Sequence, residues 1–182
     1  FGQRKVILWG SSWGSILGVH MAKARPDLFH AYLGTSQLVN FRENQRVSYA
    51  RLLAVVGASD DPASMAVLHG VGEPPWTDPR SFGKVRRVIR AYEAKVSTPA
   101  PEAWWTPAAE YRTPKAQADY EAGEEYSFLN FVGLKGDGMA SKVDLPALGT
   151  DFAIPMFFVE GAQDLLATPD VAQRYYESLT AP

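Results

Sequence analysis

The sequence predicts an α/β fold in which a parallel β-sheet is flanked by helices, and three observations support this prediction. The short apolar run from Val6 to Trp9 gives way at once to a helical pattern, and a second short run, "AYLGTS", follows at residues 31–36. A strand, a helix and a strand in this order form a βαβ unit, whose strands lie parallel. A third, nearly continuous apolar run, "IPMFFVEG" at residues 154–161, resumes the sheet. Apolar runs of this kind are typical of strands buried on both faces.

Two helices next to these strands are predicted from apolar spacing and from proline. After Trp13, apolar side chains recur every three or four residues, so a helix should run to about Arg25 and end before Pro26. The expected buried stripe of this helix is Ile16, Leu17, His20, Met21 and Ala24. Near the end of the chain, Thr168 is a candidate N-cap with Pro169 at the first helical position. Each helix would therefore follow a strand of the sheet.

Between the second and third strand patterns, the sequence changes character. From residue 39 to about residue 140, helical patterns alternate with proline-rich turns, and strand signals nearly vanish. We therefore predict a first part of the core at residues 1–38, a helical cap insertion at residues 39–140 and a second part of the core at residues 141–182. Aromatic residues concentrate in the insertion, where they could line a substrate tunnel or join the insertion to the core. The sequence leaves both alternatives open.

Composition excludes several classes of protein. The chain has 182 residues, is 46% hydrophobic and carries a net charge of −2, with no dense cluster of Lys and Arg that would suit nucleic acid. No apolar stretch approaches the roughly 18 to 20 residues that a transmembrane helix needs. The absence of cysteine excludes disulfides, a thiolate nucleophile and cysteine-ligated metal. These features suit a cytoplasmic protein, and a periplasmic one as well.

Gly10, Ser12 and Gly14 form the pattern GxSxG at the point where strand pattern becomes helix pattern. A serine in this position would lie on a strained turn with its hydroxyl pushed into solvent, and glycine on both sides would give clearance. The backbone N–H of Trp13, at the start of the helix, could then point at the oxyanion of a tetrahedral intermediate. The alternative is a structural glycine-rich turn. The strand-to-helix context favours a nucleophilic serine.

A serine nucleophile needs a histidine base and a carboxylate that orients the base. Asp164 is the best candidate for the carboxylate, because it follows the carboxyl end of the third strand, at the edge of the sheet where Ser12 is expected. In this type of site the chain order is serine, acid, histidine. All three histidines precede Asp164: His20, His30 and His69. We therefore expect the catalytic histidine beyond Pro182.

The start of the chain leads to a related expectation. Phe1 is not methionine and a strand pattern begins by Val6, so we expect the chain to be part of a longer protein. A second oxyanion donor would then precede Val6. The fragment alone should be inactive, and its exposed sheet edges would be covered by the remaining part of the same protein or by self-association.

Three segments resemble the α/β-hydrolase superfamily, and within it the proline iminopeptidase-like group with a helical cap. "GSSWGSILG" at residues 10–18 is similar to that group's nucleophile elbow, which typically reads GGSWGSTL. "RPDLFHAYLG" at residues 25–34 and "IPMFFVEGAQDLLATP" at residues 154–169 resemble the segments around the next strand and the acid loop. The resemblance covers the two core parts and the cap only loosely. It implies a catalytic triad with Ser12 as nucleophile and Asp164 as acid, and Trp13 as oxyanion donor.

The resemblance also bears on the substrate. In proline iminopeptidases, cap glutamates hold the free amino group of the substrate, and Glu93, Glu124 and Glu125 are the candidate counterparts. Esterase activity is equally open. A serine at the elbow argues against haloalkane dehalogenases and epoxide hydrolases, which need a carboxylate nucleophile there.

The sequence therefore predicts a serine hydrolase of aminopeptidase or esterase type that acts on an ester or amide. Its expected substrate is a small molecule or short peptide, with no nucleic-acid or membrane partner and no metal or organic cofactor. The alternative from another class is a non-catalytic α/β-hydrolase relative that binds a ligand or partner.

Overall fold

The core of the molecule is a three-stranded parallel sheet. The computed structural model describes residue 2 and residues 4–182. Strand β1 (Val6–Ser11) pairs with β2 (Phe29–Thr35), and β2 pairs with β3 (Met156–Val159), so β2 is the central strand. Helix α1 (Trp13–Ala24) connects β1 to β2. The predicted parallel α/β sheet is confirmed.

One face of the sheet is covered and the other is bare. Residues alternate between the faces along each strand. On the covered face, Tyr32 is fully buried against α1, and Phe158 stacks on Tyr175 of helix α6 (Pro169–Ser178) with ring centroids 6.1 Å apart. Large exposed side chains line the opposite face: Ile7, Trp9, Phe157 and Val159. The prediction that β1 and β3 are buried on both faces is therefore wrong for the described part of the chain.

Helix α1 packs on the sheet through small residues. Gly18 lies so close to the sheet that a Cβ there would be 2.5 Å from Cε2 of Tyr32. The buried residues of α1 are Ser15, Gly18, Val19 and Ala22. Leu17, His20 and Met21 are exposed, so most of the predicted buried stripe is wrong. Close approach to the sheet selects small side chains, whereas apolar periodicity selects large ones.

Four α-helices lie between β2 and β3. They are α2 (Phe41–Gly57), α3 (Pro62–Val71), α4 (Pro79–Val96) and α5 (Pro114–Val132). The side chains that accept hydrogen bonds at their N-termini are those of Asn40, Asp61, Asp78 and Thr113. No helix among the described residues combines the length and apolar character that crossing a membrane requires.

Helices α2, α3 and α4 share a core of their own. Its buried members are Tyr49, Leu52, Val56, Leu68, Val85, Val88, Ile89 and Tyr92, together with Leu165 from the loop after β3. Because Leu165 belongs to this core and its N–H donates to Glu93, the loop that follows β3 is fixed against α4.

The start of α6 is also tied to the helical segment. Pro169 occupies the first turn of α6, and Thr168 occupies the N-cap position as predicted. The Thr168 hydroxyl does not cap the helix, however, because it lies 3.0 Å from Oδ1 of Asn44 on α2 and bonds to it. The apolar spacing predicts Val171, Tyr175 and Leu179 as the buried stripe of α6; Val171 and Tyr175 are buried, whereas Leu179 follows the last helical residue and is only half-buried.

The aromatic residues of the helical segment divide into two groups. Phe41, Trp76 and Phe82 pack edge to face or tilted against further aromatic rings, with centroid distances from 5.7 to 6.5 Å. A second group is exposed: Trp104, Trp105, Tyr111, Tyr120 and Tyr126. The first group joins the helices to one another, and several of its members also line the large cavity described below.

Candidate active site

Ser12 lies on the tight turn between β1 and α1. Its backbone has φ 50° and ψ −119°, in the left-handed half of conformational space that residues other than glycine rarely adopt. Such a conformation costs on the order of 1–3 kcal/mol and persists only where the surroundings hold it. Ser12 N–H donates to the Thr35 carbonyl at 2.9 Å, and the Ser12 carbonyl accepts from Ser15 N–H at 2.9 Å. The turn leaves the Ser12 side chain exposed.

Only one of the two flanking glycines is required by space. A Cβ at Gly10 would lie 2.5 Å from the Gly14 carbonyl oxygen and 2.9 Å from Cα of Ser15. A Cβ at Gly14 would meet no described atom within 4 Å apart from its chain neighbours and the backbone of its own helix. The expectation that both glycines give clearance therefore holds for Gly10 and is wrong for Gly14.

Ser15 stabilises the turn through its side-chain hydroxyl, a role that the sequence pattern does not reveal. Its buried hydroxyl donates to the Ser12 carbonyl at 2.5 Å and accepts from Leu38 N–H at 3.0 Å. The hydroxyl of Tyr32 lies 3.0 Å from the Ser15 carbonyl. The match of Ser15 to the elbow pattern was the available signal, but the pattern alone does not say what the hydroxyl contacts.

Trp13 is the first residue of α1, so its N–H has no acceptor within the helix. That N–H also makes no backbone hydrogen bond to the other described residues. Together with the helix dipole, it is an available donor for negative charge next to Ser12. The indole of Trp13 is exposed.

Asp164 lies in the loop after β3 and is held by that loop's backbone. Its Oδ1 accepts from the N–H groups of Leu166 at 2.8 Å and Ala167 at 2.7 Å. Asp164 and Ser12 line one small cleft of about 600 Å³, together with Ser36 and Glu93. The structure therefore brings Ser12 and Asp164 together at the carboxyl ends of the strands.

Glu93 reaches this cleft from α4. Its Oε1 accepts from Leu165 N–H at 2.9 Å, so it contacts the same loop as Asp164. Burial raises the pKa of Glu93, and repulsion from the Asp164 carboxylate raises it further. Burial likewise raises the pKa of Glu160, whose carboxylate accepts from Gln37 N–H. Burial thus raises the pKa of two carboxyls whose charges repel that of Asp164.

A second, larger cavity of about 1020 Å³ extends from Ser12 and Trp13 to helices α4 and α5. Glu124 and Glu125, the other two sequence candidates, line it from α5 and are exposed. Glu93 does not line it. The large cavity also contains residues that the sequence analysis did not single out, notably Gln45 and Arg86.

The three histidines lie away from both cavities. His20, His30 and His69 are exposed, and none of them lines the large cavity or the small cleft. No histidine of this chain is therefore in place to accept a proton from Ser12.

The parallel sheet, the strained serine turn after β1 and the acidic loop after β3 together form part of an α/β-hydrolase fold. Two solved structures share this fold with a TM-score of 0.64. The crystal structure of VinJ is 17% identical and is matched over 98% of this chain and 56% of its own. The proline iminopeptidase of Mycobacterium smegmatis is 16% identical and is matched over 100% of this chain and 57% of its own.

The chain is also similar in sequence to a known protein. The Bacillus subtilis (strain 168) protein named "Probable aminopeptidase YbaC" is 24% identical over an alignment of 198 positions. The alignment covers all of this chain and 57% of that protein. No family model matches the chain. The chain thus spans somewhat more than half the length of each of these three proteins.

Proposed function

We propose that this chain carries the nucleophile and the acid of a serine hydrolase that acts on an ester or amide. The observation that carries the proposal is the strained backbone of Ser12, which presents the hydroxyl at the end of the sheet, in the cleft that Asp164 also lines. Strain of this kind in a residue other than glycine clusters at functional sites. The similarity to a protein named as an aminopeptidase supports a hydrolytic role.

In the proposed reaction, Ser12 Oγ attacks the carbonyl carbon while a histidine takes its proton. The tetrahedral oxyanion accepts a hydrogen bond from Trp13 N–H and is stabilised by the start of α1. Collapse of this intermediate breaks the bond to the leaving group, which receives the proton from the histidine. Water then attacks the acyl-enzyme and gives a proton to the histidine. The histidine returns a proton to Ser12 Oγ as the acyl group leaves. Asp164 orients the histidine, which we place outside these 182 residues.

Within this proposal, the three glutamates divide into two roles. Glu124 and Glu125 line the large cavity next to Ser12, so they are placed to hold an ammonium group, as in a peptide substrate. Glu93 instead contacts the acid loop through Leu165 N–H, so we assign it to the support of Asp164.

A fluorophosphonate probe tests the nucleophile. We expect the probe to label Ser12 in the full-length protein, which would supply the histidine, as located by mass spectrometry, and we expect Ser12→Ala to abolish labelling. The matched control is Ser36→Ala, because Ser36 lines the same cleft and also has a positive φ of 46°. Labelling that survives Ser12→Ala, or that is lost in Ser36→Ala instead, would show that the proposed nucleophile is wrong.

The second candidate function is a non-catalytic protein that binds a ligand in the large cavity. The observation that favours it is the position of the three histidines, none of which lines either cavity. The same probe separates the two functions, because Ser12 of a non-catalytic binding protein would not be activated and would remain unlabelled.

We also propose that the bare sheet face is covered by further chain of the same protein. Parallel sheets are normally covered on both faces. The relatives are longer than this chain, and the exposed side chains of Ile7, Trp9, Phe157 and Val159 form one apolar surface.

A further inference from the structure

The large cavity has two walls of opposite charge. Helix α4 contributes three arginines and α5 contributes three glutamates: Arg86, Arg87 and Arg90, and Glu121, Glu124 and Glu125. Among the described residues, no ion pair within 4.0 Å joins the two walls. Both sets of charges are therefore available to a ligand.

Among the three arginines of this wall, Arg86 is the one with a buried nitrogen, Nε, that lacks a hydrogen-bond partner in the described part of the chain. Burial lowers the pKa of Arg86, and repulsion from Arg90 adds to this, while Glu124 and Glu93 act in the opposite direction. A buried N–H donor without a partner is unfavourable unless a ligand supplies an acceptor.

Gln45 on α2 is a second polar residue that lines the same cavity. Its side chain is only 7% exposed and lines the cavity, yet its amide makes no hydrogen bond to another described residue. The neighbouring polar residues on α2 are satisfied, since Asn44 donates to the Leu166 carbonyl and Ser48 to the Leu165 carbonyl. Gln45 thus differs from them in having free hydrogen-bonding capacity that faces the cavity.

We propose that Arg86 and Gln45 bind a carboxylate group of the substrate, so that the substrate class is esters or amides that carry a carboxylate away from the carbonyl attacked by Ser12. A guanidinium and an amide both present planar N–H donors, which match the two oxygens of a carboxylate. The glutamates on the opposite wall disfavour a more highly charged anion such as phosphate. The inference rests on the proposed hydrolase function for its catalytic consequence, whereas carboxylate binding itself does not depend on that function.

The kinetic test uses the full-length protein and compares two activated esters of similar shape, p-nitrophenyl hemisuccinate and p-nitrophenyl butyrate. They differ chiefly in a terminal carboxylate in place of a methyl group. We expect Arg86→Gln to lower kcat/KM for the hemisuccinate by about tenfold to a hundredfold, mainly through KM, because a hydrogen bond to a charged group is lost. The rate with the butyrate should stay within about threefold, since the neutral ester makes no such bond.

Two further variants make this test specific. Lys84→Gln is the matched control, because Lys84 is an exposed cation on α4 that does not line the cavity. Arg86→Lys keeps the charge but loses the planar fork, so we expect an intermediate loss. Equal losses for both esters in Arg86→Gln, or the same selective loss in Lys84→Gln, would overturn the assignment.

A binding measurement separates this inference from the proposed function. We expect glutarate, but not the neutral glutaramide, to bind the protein in a calorimetric titration, and we expect Arg86→Gln to remove that binding. If the probe fails to label Ser12 while glutarate binding depends on Arg86, the hydrolase proposal is wrong and the carboxylate site stands. If Ser12 is labelled but glutarate does not bind and the two esters are not distinguished, the carboxylate site is wrong.

Discussion

The turn at Ser12 is built from backbone hydrogen bonds and from one close approach between backbone atoms. The Ser12 N–H and carbonyl both have partners, and the buried Ser15 hydroxyl connects the turn to Leu38, which follows β2. These bonds hold a conformation that would otherwise relax. The two glycines of the motif take part in it unequally, and this difference can be measured.

Alanine at the two glycines should have opposite effects on stability. Gly10→Ala places a Cβ 2.5 Å from a backbone oxygen, which cannot rotate away, so we expect the free energy of unfolding to fall by about 1–3 kcal/mol. Gly14→Ala places a Cβ in open space within α1, where alanine is favoured over glycine, so we expect no loss and a gain of up to about 1 kcal/mol. Urea unfolding of both variants measures the difference. A loss in Gly14→Ala as large as that in Gly10→Ala would contradict the structure of the turn.

At the level of single residues, the sequence could predict the strained turn at Ser12 because the motif and the change of period are local signals. Asp164 was predicted from its position after a strand, and the structure places it in the same cleft as Ser12. Arg86 and Gln45 were not predicted. They come from two different helices, and only the folded chain shows that both line one cavity and that Nε of Arg86 is buried without a partner among the described residues.

The main helices and strands could be predicted from the sequence. The face that each of them buries could be predicted for some of them only. The three strands and their parallel order follow from short apolar runs separated by helical patterns. For α1 the periodicity selected Leu17 and Met21, but the helix lies too close to β2 for large side chains and buries Gly18 and Ala22 instead. The distance between a helix and a sheet is set by both partners, so the helix sequence alone does not contain it.

Helix α4 and the loop after β3 are joined through Glu93, and this contact should make stability depend on pH. The raised pKa means that the folded chain keeps a proton on Glu93 at pH values where the unfolded chain has released it. The contribution of this group to stability is therefore present at low pH and is lost as the pH rises through the raised pKa. The Glu93 carboxylate is unfavourable in the folded chain above that value.

Glu93→Gln tests this pH dependence. The amide oxygen can still accept from Leu165 N–H, while the repulsion from Asp164 is removed. We expect the variant to be more stable than the wild type at neutral and alkaline pH, with the advantage disappearing toward acidic pH. Urea unfolding at a series of pH values measures it, with Glu124→Gln, an exposed change on α5, as control. A constant difference across pH would mean that Glu93 does not titrate as inferred.

For the whole molecule, the site lies where the sheet meets the helical segment. Leu165 packs into the core of α2, α3 and α4, while the neighbouring Asp164 faces the cleft with Ser12. This arrangement joins residues more than 150 positions apart in the sequence. The opposite face of the sheet has no such partner among the described residues.

Substitution on the bare sheet face tests whether further chain covers it. Ile7 is 69% exposed here, so Ile7→Ala should change the stability of the 182-residue chain by no more than about 0.5 kcal/mol. In a longer protein whose additional chain covers this face, the same change should cost about 2–5 kcal/mol, as for a buried isoleucine. Leu134→Ala is the matched control, because Leu134 is 71% exposed and lies outside the sheet; it should have little effect in either protein. Urea unfolding gives both values, and light scattering gives the mass of the shorter chain. A small effect of Ile7→Ala in both proteins would show that no further chain covers this face. If the shorter chain forms a dimer that dissociates in the Ile7→Ala variant, a second copy covers the face instead.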